Sequence, residues 1–579
     1  MRLGRGRRRG LILLAALVVF GLALLRVALW RPLDLVGSAP DDGYARVAGV
    51  VHVHTTLSDG GGTPEEVTAA AKATGLAFLG ITDHNNLDAK RFEGYREGVL
   101  VLVGSELSTP SGHLVGLGLD RDPAWRFNGD GLDGVEDVRD LGGVPFAAHP
   151  FSARPDLRWN GWDLPGPGGI ELLNGDSDAR RAGPRVLLSV GLYRLNPGYA
   201  LLQGLRSPDE ALRRWDEMLA RRDVVGLAGS DAHSRLAVTK TRALRFPSYE
   251  SLFEQARNHL LLDRPLTGEA AADRVAVLDA FRRGRFYLGL DALAPAGAFR
   301  FTIEGRPGER WTMGDHVPPR EGGLRAVAGG RTPRGTRLVL VRDGQAVGEG
   351  PGSLEIALPG PGVYRVEARV PGWPVPWVIT NPIYVHDEET REARRLAAAW
   401  PAPPPPPRET HALVSLEGSA AFNPEFDPSS WMDAAVAAPG AGPEGDEALK
   451  LAFRLGAPSA SQPFTWCALV NRQARDLSAY AGLRFRIRAD GEYRLWVQVR
   501  DINPASADEG LEWWLASART SGDWREVRLP FARFRTINRR SDGRLDPGKT
   551  RALVFVLDGA SVKVGTQGTI WIADVGVYR

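Results

Sequence analysis

The sequence predicts an α/β barrel followed by two all-β modules and preceded by one apolar helix. Three observations carry that expectation. Short apolar runs alternate with helix signals through the first half of the 579 residues, the hydrophobic period switches to two past about residue 295, and an arginine-flanked apolar stretch opens the chain.

At the N-terminus, Arg2, Arg5, Arg7, Arg8 and Arg9 precede Leu11 to Leu25, an uninterrupted apolar run of fifteen residues, and Arg26 and Trp30 follow. A snorkelling Arg26 and an interfacial Trp30 extend the run to the roughly twenty residues that cross a ~30 Å hydrocarbon core. The expected organisation is a basic cytoplasmic tail over 1–10 and a transmembrane anchor over 11–30, with the remainder in the periplasm or cell exterior. A cleaved signal peptide ending near Gly37-Ser38-Ala39 is the alternative; the long apolar run and the distant site favour the anchor. The net charge is +3, and the first 31 residues contribute seven arginines and no acid, so the rest carries −4. The pI near 9.0 is therefore no argument for a nucleic-acid partner, and none is expected. A single cysteine, Cys467, rules out an internal disulfide.

The barrel is expected over 45–295. Thr63-Pro64-Glu65-Glu66 reads as a capping box with proline at the first helical position, and Ser207-Pro208-Asp209-Glu210 reads as a second one, opening a helix to about Arg222. Between such signals lie strand-like runs, and a side chain that can ligate metal sits just after, or at the edge of, these runs. His52 and His54 follow Ala48–Val51 with Asp59 five residues on, His84 closes Ala77–His84, and Glu106 ends Val99–Glu106. His113 opens a run, His149 ends Val144–His149, and Asp231 and His233 follow Val224–Ser230. Parallel βα units bring the C-terminal ends of their strands together, so distant imidazoles and carboxylates converge. In His52-Val53-His54, period-two alternation puts both rings on one face. A lone histidine beside a strand is ordinarily a packing residue, but His-x-His and Asp-x-His pairs at strand ends with a glutamate at a third point to a multinuclear metal site. His259, His316, His386 and His411 lack such partners.

These residues, His52-Val-His54 with Asp59, Thr82-Asp83-His84, Glu106, Ala148-His149-Pro150 and Ser230-Asp231-Ala232-His233, resemble the PHP (polymerase and histidinol phosphatase) metal-dependent hydrolases. The resemblance implies a distorted (β/α)7 barrel with two or three divalent ions, manganese, zinc or iron. It implies a first ion on His52, His54, Glu106 and Asp231, a second sharing Glu106 and adding His113 and His149, and a third on Asp59, His84 and His233. A metal-bridging hydroxide would attack a phosphate ester, and a carboxylic or carbamic ester hydrolase on the same site is the alternative. The loop after His149 offers Arg154 and Arg158, with Trp159 and Trp162 beside them; Arg154 is the candidate cation for phosphate or leaving group. Asp83 is either a partner to a ligand or part of its turn. A PHP barrel in a DNA polymerase would sit in a far longer chain, and histidinol phosphatase carries no appended sandwiches.

Past the barrel, Phe299–Ile303, Arg337–Val341 and Tyr364–Ala368 alternate between Gly/Pro turns, predicting a β-sandwich over 296–388 that resembles immunoglobulin-like modules. A helix-like charged run and Pro403–Pro407 read as a stiff linker over 389–410. Over 411–579, Leu483, Phe485 and Ile487 alternate with Arg484, Arg486 and Arg488, one face buried and the other basic and wet. Strands are expected at 493–499, 525–529, 552–557 and 569–575, in a pattern that resembles the jelly rolls of carbohydrate-binding modules. Trp513-Trp514 would then offer a glycan a stacking surface. The substrate class is a small-molecule or surface-polymer ester, and a surface glycan-binding protein with a vestigial barrel is the reading from another class.

Overall fold

The computed structural model describes the chain apart from residues 1–4, 178–184, 238, 240–241, 321, 400–406, 408, 414–421, 438–439, 507–509, 537 and 539. It divides into two units, 1–121 with 135–400, and 122–134 with 401–579. Pro403 to Pro406 of the expected spacer lie outside the described residues.

In the first unit, helix α1 (Arg5–Ala28) precedes strand β1 (Ala45–Val53), helix α2 (Pro64–Ala73), β2 (Phe78–Ile81), β3 (Val99–Val103), β4 (Ser105–Thr109), β5 (Gly112–Leu117), β6 (Val144–Ala147) and β7 (Gly169–Asn174). Helix α3 (Asp209–Leu219), β8 (Val225–Ala232), β9 (Arg257–Leu262), α4 (Ala270–Arg283) and β10 (Phe286–Gly289) follow. β1 pairs in parallel with β2, β2 with β3, β6 with β7, and β7 with β8, and β8 returns to β1 to close the ring. Gly104 separates β3 from β4, a bent continuation, and β5 runs antiparallel to both β4 and β6. That reversed strand is the distortion of the barrel. Val51, Phe78, Leu102, Leu117, Phe146 and Leu227 share one buried core with Val277 and Phe281 of α4, each contributing roughly 1.5–3 kcal/mol by leaving water.

The Thr63 capping box forms: Thr63 Oγ1 accepts from Glu66 N at 3.3 Å while Glu66 accepts from Thr63 N at 2.9 Å. The second box does not. Pro208 takes the N-cap of α3 without a side-chain hydrogen bond, leaving Ser207 one residue outside, and the helix ends at Leu219 rather than Arg222.

The membrane-spanning helix expected over 11–30 is not found as one. Helix α1 exposes most of its apolar side chains between Ile12 and Leu25, yet among the described residues no helix is long and apolar enough to cross a membrane. Fifteen uninterrupted apolar residues rise about 22 Å at 1.5 Å each, short of the hydrocarbon core. Trp30, expected at an interface, is half-buried beside Tyr199, ring centroids 5.5 Å apart, and its carbonyl accepts from Asn196 Nδ2 at 2.8 Å.

Beyond β10 the chain forms two facing sheets. One holds Phe299–Glu304, Arg310–Thr312, Arg325–Gly330 and Leu354–Ala357; the other holds Arg337–Arg342, Gln345–Pro351, Gly362–Arg369, Val378–Thr380 and Ile383–Val385. This second sheet is continuous with the barrel, because Val378–Thr380 pairs antiparallel with β10. The helix-like charged run of the expected linker is a helix, Glu388–Ala398. Its Arg394 is buried, 2.9 Å from Asp223 Oδ1 and donating to the Leu219 carbonyl at 2.7 Å, which ties the charged run to the end of α3.

The second unit is a sandwich of two six-stranded antiparallel sheets. Leu483, Phe485 and Ile487 are buried, as alternation predicts. Their arginine neighbours are half-buried rather than wet: Arg484 and Arg486 pair with Glu526 and Glu444, and Arg488 lies over the Trp524 and Trp571 rings. Trp513 and Trp514 point to opposite faces. Trp514 is core, its Nε1 donating to Asp501 at 3.1 Å, while Trp513 is half-buried beneath Arg500, so the pair offers no joint stacking surface.

Candidate metal centre

The ends of β1, β2, β4, β6 and β8 bring the sequence-selected side chains together. Nε2 atoms of His52 and His54 lie 3.1 Å from Glu106 Oε2, and 3.3 and 3.4 Å from Asp231 Oδ1. His113 Nδ1 and His149 Nε2 lie 2.6 and 2.7 Å from Glu106 Oε1. Asp59 Oδ1 lies 3.2 Å from His233 Nε2 and 3.7 Å from both His84 Nε2 and His54 Nδ1. Simple alternation does not orient His52 and His54. His52 has a left-handed backbone, φ +64°, where the β1 register slips between Val50 and Val53, and Asp231, φ +50°, sits in the matching slip of β8. His149 is also left-handed, φ +24°. Strain of this kind persists where surrounding structure overdetermines it, characteristically at functional sites.

Three overlapping groups have ligand atoms mutually within 4.8 Å: His54, Asp59, His84 and His233; His52, His54, Glu106 and Asp231; and His84, Glu106 and His113. Compared with the assignment implied by sequence, His54 joins the Asp59 group and His84 joins the Glu106–His113 group. His149 faces Glu106 from outside these groups. Buried polar atoms at the centre test the fit. His52 Nε2, both His54 ring nitrogens, His84 Nδ1, Glu106 Oε2 and Asp59 Oδ1 have no hydrogen-bond partner among the described residues. Buried polar atoms are ordinarily satisfied, so a convergent set of unsatisfied nitrogen and oxygen donors suits divalent cations.

The electrostatics agree. Burial pushes the His52 pKa down, but the Glu171, Asp231 and Glu106 carboxylates outweigh it and hold the ring well above its ordinary value. Burial pushes Glu106 up, and the surrounding His52, His113 and His149 rings hold it well below the carboxylate range. For His233 burial acts downward too, yet Asp59 and Asp231 raise it to about 9. The cluster therefore demands positive charge, which protons or metal ions supply.

Residues around the ligands fix them. Asp83 fastens the loop carrying Asp59: it accepts from Thr55 N at 2.8 Å, Thr55 Oγ1 at 2.7 Å and Ser58 Oγ at 2.5 Å. Tyr249, not singled out from sequence, lies with its hydroxyl 2.8 Å from the His54 carbonyl and 3.1 Å from that of His233. Glu171, also missed, contacts His52 Nδ1 at 2.6 Å. A glutamate inside the apolar strand Gly169-Ile-Glu-Leu-Leu-Asn174 is the signal that could have found it.

Seven of the nine sequence-selected side chains, all but the buried His52 and His54, line a cavity of about 470 Å³ together with Arg154, Arg235, Asp156 and Asp176. Arg154 pairs with Asp156 at 2.8 Å, and Arg235 donates to the Asp59 carbonyl at 3.1 Å. Arg158 is turned away onto the Ser152 carbonyl, Trp159 is core, and Trp162 stacks on Phe151. His259, His316, His386 and His411 lie outside the cluster; His259 instead pairs with Asp291 at 2.7 Å.

A family model of the PHP domain matches residues 51–121. An uncharacterised protein of Methanocaldococcus jannaschii is 30% identical over 117 residues, 18% of this chain and 67% of that protein. A 3',5'-nucleoside bisphosphate phosphatase of Chromobacterium violaceum is 36% identical over 96 residues, 15% of this chain and 33% of its own length. Among solved structures, a two-domain Bacteroides vulgatus protein containing a predicted PHP-like metal-dependent phosphoesterase aligns over 61% of this chain and 99% of its own, TM-score 0.29 at 15% identity. A family 11 carbohydrate-binding module of a Clostridium thermocellum cellulase aligns over 29% and 94%, TM-score 0.24 at 15% identity. The assignment rests on the sequence matches together with the ligand cluster. The chain belongs to the PHP domain family and is a metal-dependent hydrolase.

Proposed function

We infer that the barrel is a phosphoesterase. The observation that carries this reading is the set of three overlapping ligand groups on the floor of a cavity lined by two arginines. His52, His54, Glu106 and Asp231 would hold one ion, His84, Glu106 and His113 a second, and His54, Asp59, His84 and His233 a third. Bound there, divalent ions supply Lewis acidity and lower the pKa of coordinated water. The chain's own part is binding and orientation. Arg154, paired with the exposed Asp156 carboxylate, can turn its fork to a phosphate oxygen. Arg235, tied to the Asp59 carbonyl, puts a second cation at the mouth. The similarity to the Chromobacterium violaceum nucleoside bisphosphate phosphatase supports a phosphate ester as substrate.

The test is hydrolysis of aryl phosphate mono- and diesters against aryl carboxylic and carbamic esters by the full chain reconstituted with manganese, zinc or iron. A His52→Ala, His54→Ala double variant is the blank. Phosphate esters are expected to turn over in a blank-sensitive way; release from the carbonyl esters alone would move the assignment to that class.

Two further parts of the reading concern location and the second unit. Exposed apolar side chains along α1, beside an arginine-rich end, support attachment to the cytoplasmic membrane with the barrel exported. Membrane fractionation with and without residues 1–30 tests it. In the C-terminal unit, a cleft of about 810 Å³ gathers Phe464, Trp466 and Trp513 with Glu425, Gln498 and Arg500. Aromatic faces beside polar side chains suit a glycan, and retention on immobilised polysaccharide, lost in Trp513→Ala, is the check.

A further inference from the structure

We propose that Glu171 is a positioning residue of the metal centre, whose buried carboxylate holds the His52 ring and the His149 main chain where both can ligate. The proposal rests on the metal-centre reading above. Glu171 stands on β7, is 2% exposed, and belongs to none of the three ligand groups. Its two oxygens serve different segments. Oε1 lies 2.6 Å from His52 Nδ1, and Oε2 accepts from His149 N at 2.7 Å and from Asn174 Nδ2 at 2.8 Å.

The consequence for His52 is chemical. With Nδ1–H donated to Glu171, the lone pair stays on Nε2, the atom that faces Glu106 and Asp231 at 3.1 and 3.3 Å. That is the tautomer a metal needs, and a carboxylate behind a ligating imidazole sets it. For His149, the same carboxylate grips the amide of a residue held at φ +24°. The neighbouring strand makes room for this group: a Cβ on Gly229 of β8 would lie 2.0 Å from Glu171 Oε1.

An amide cannot do both jobs. If glutamine turns its oxygen to His149 N, its NH2 meets His52 Nδ1 and drives the proton to Nε2, where it blocks ligation. If it turns the other way, its NH2 meets two donors. Glu171→Gln therefore perturbs the centre at nearly constant volume, and Gly229→Ala displaces the carboxylate without removing it.

The experiment titrates metal-stripped full-length protein with manganese and reads retained metal, the visible spectrum of the cobalt(II) form, and thermal unfolding of the metal-free protein. Both variants are expected to bind the His52-dependent manganese about 10–100-fold more weakly. They should also shift the cobalt absorption, keep the Asp59-dependent ion, and leave the metal-free protein folded, with its unfolding transition cooperative though at a lower temperature. Wild-type affinity with an unchanged cobalt spectrum would overturn the proposal. So would metal loss that merely follows collapse of the metal-free fold, which would make Glu171 structural. Wild-type protein retaining no more manganese than His52→Ala would overturn the metal-centre reading itself, and this proposal with it.

Discussion

Replacing Glu106 with glutamine should divide the metal centre rather than abolish it. Two of the three ligand groups contain Glu106; the third, built on Asp59, does not. Five imidazoles place a nitrogen between 2.6 and 3.3 Å from its two oxygens, those of His52, His54, His84, His113 and His149. Second-sphere changes cost roughly 10–100-fold in metal affinity, so loss of this directly ligating, shared carboxylate should exceed about 100-fold for the two ions that use it. Uncompensated burial of the remaining imidazoles should also destabilise the metal-free protein by about 3–5 kcal/mol. The assay is elemental analysis after manganese loading and gel filtration, with Asp59→Asn as the reciprocal. Glu106→Gln should keep one ion and Asp59→Asn should lose one. A full complement in Glu106→Gln, or loss of every ion in both variants, would refute the grouping.

Other predictions concern neighbouring parts of the molecule. Asp83→Ala removes the acceptor for Thr55 and Ser58, so it should weaken the Asp59-dependent ion selectively and leave the Glu106-dependent ions in place, read by the same elemental analysis. Trp377→Ala opens a cavity at a fully buried ring whose Nε1 donates to the Ala294 carbonyl at 2.7 Å, and should cost about 3–5 kcal/mol in denaturant unfolding with metal content unchanged. Burial pushes Asp501 up from an ordinary 3.8 to about 6, so its contribution to stability is complete below about 3.8 and fades as pH rises through about 6. Discounted for solvent screening, it amounts to roughly 1–3 kcal/mol. Relative to Asp501→Asn, the wild-type C-terminal unit should therefore lose stability between pH 4 and pH 8, and parallel pH profiles of the two would contradict this.

The ligand set was legible in the sequence because chemistry and position coincide there: His52, His54, Glu106 and Asp231 each stand beside an apolar run, and strand ends in a closed ring converge. What was not legible was how they are aimed. The left-handed backbones of His52 and Asp231 belong to paired slips of β1 against β2 and β8, a long-range property no local pattern encodes. Tyr249 escaped notice for the same reason, since its hydroxyl acts on carbonyls 195 and 16 residues away. Alternation located Leu483, Phe485 and Ile487 in a core, and it placed Trp513 and Trp514 on opposite faces had it been applied to them; composition alone made them a pair. The charged run after residue 388 was legible as helix-like but not as packed, because its buried Arg394 finds Asp223 only in the folded unit.

The most direct test of the account is phosphate release from an aryl phosphate monoester by chelator-stripped full-length protein, followed against manganese bound per chain. Activity is predicted to be absent in stripped protein, to rise as ions fill the cluster, and to vanish in the His52→Ala, His54→Ala variant. Release that is independent of bound manganese, or that survives in the double variant, would contradict it.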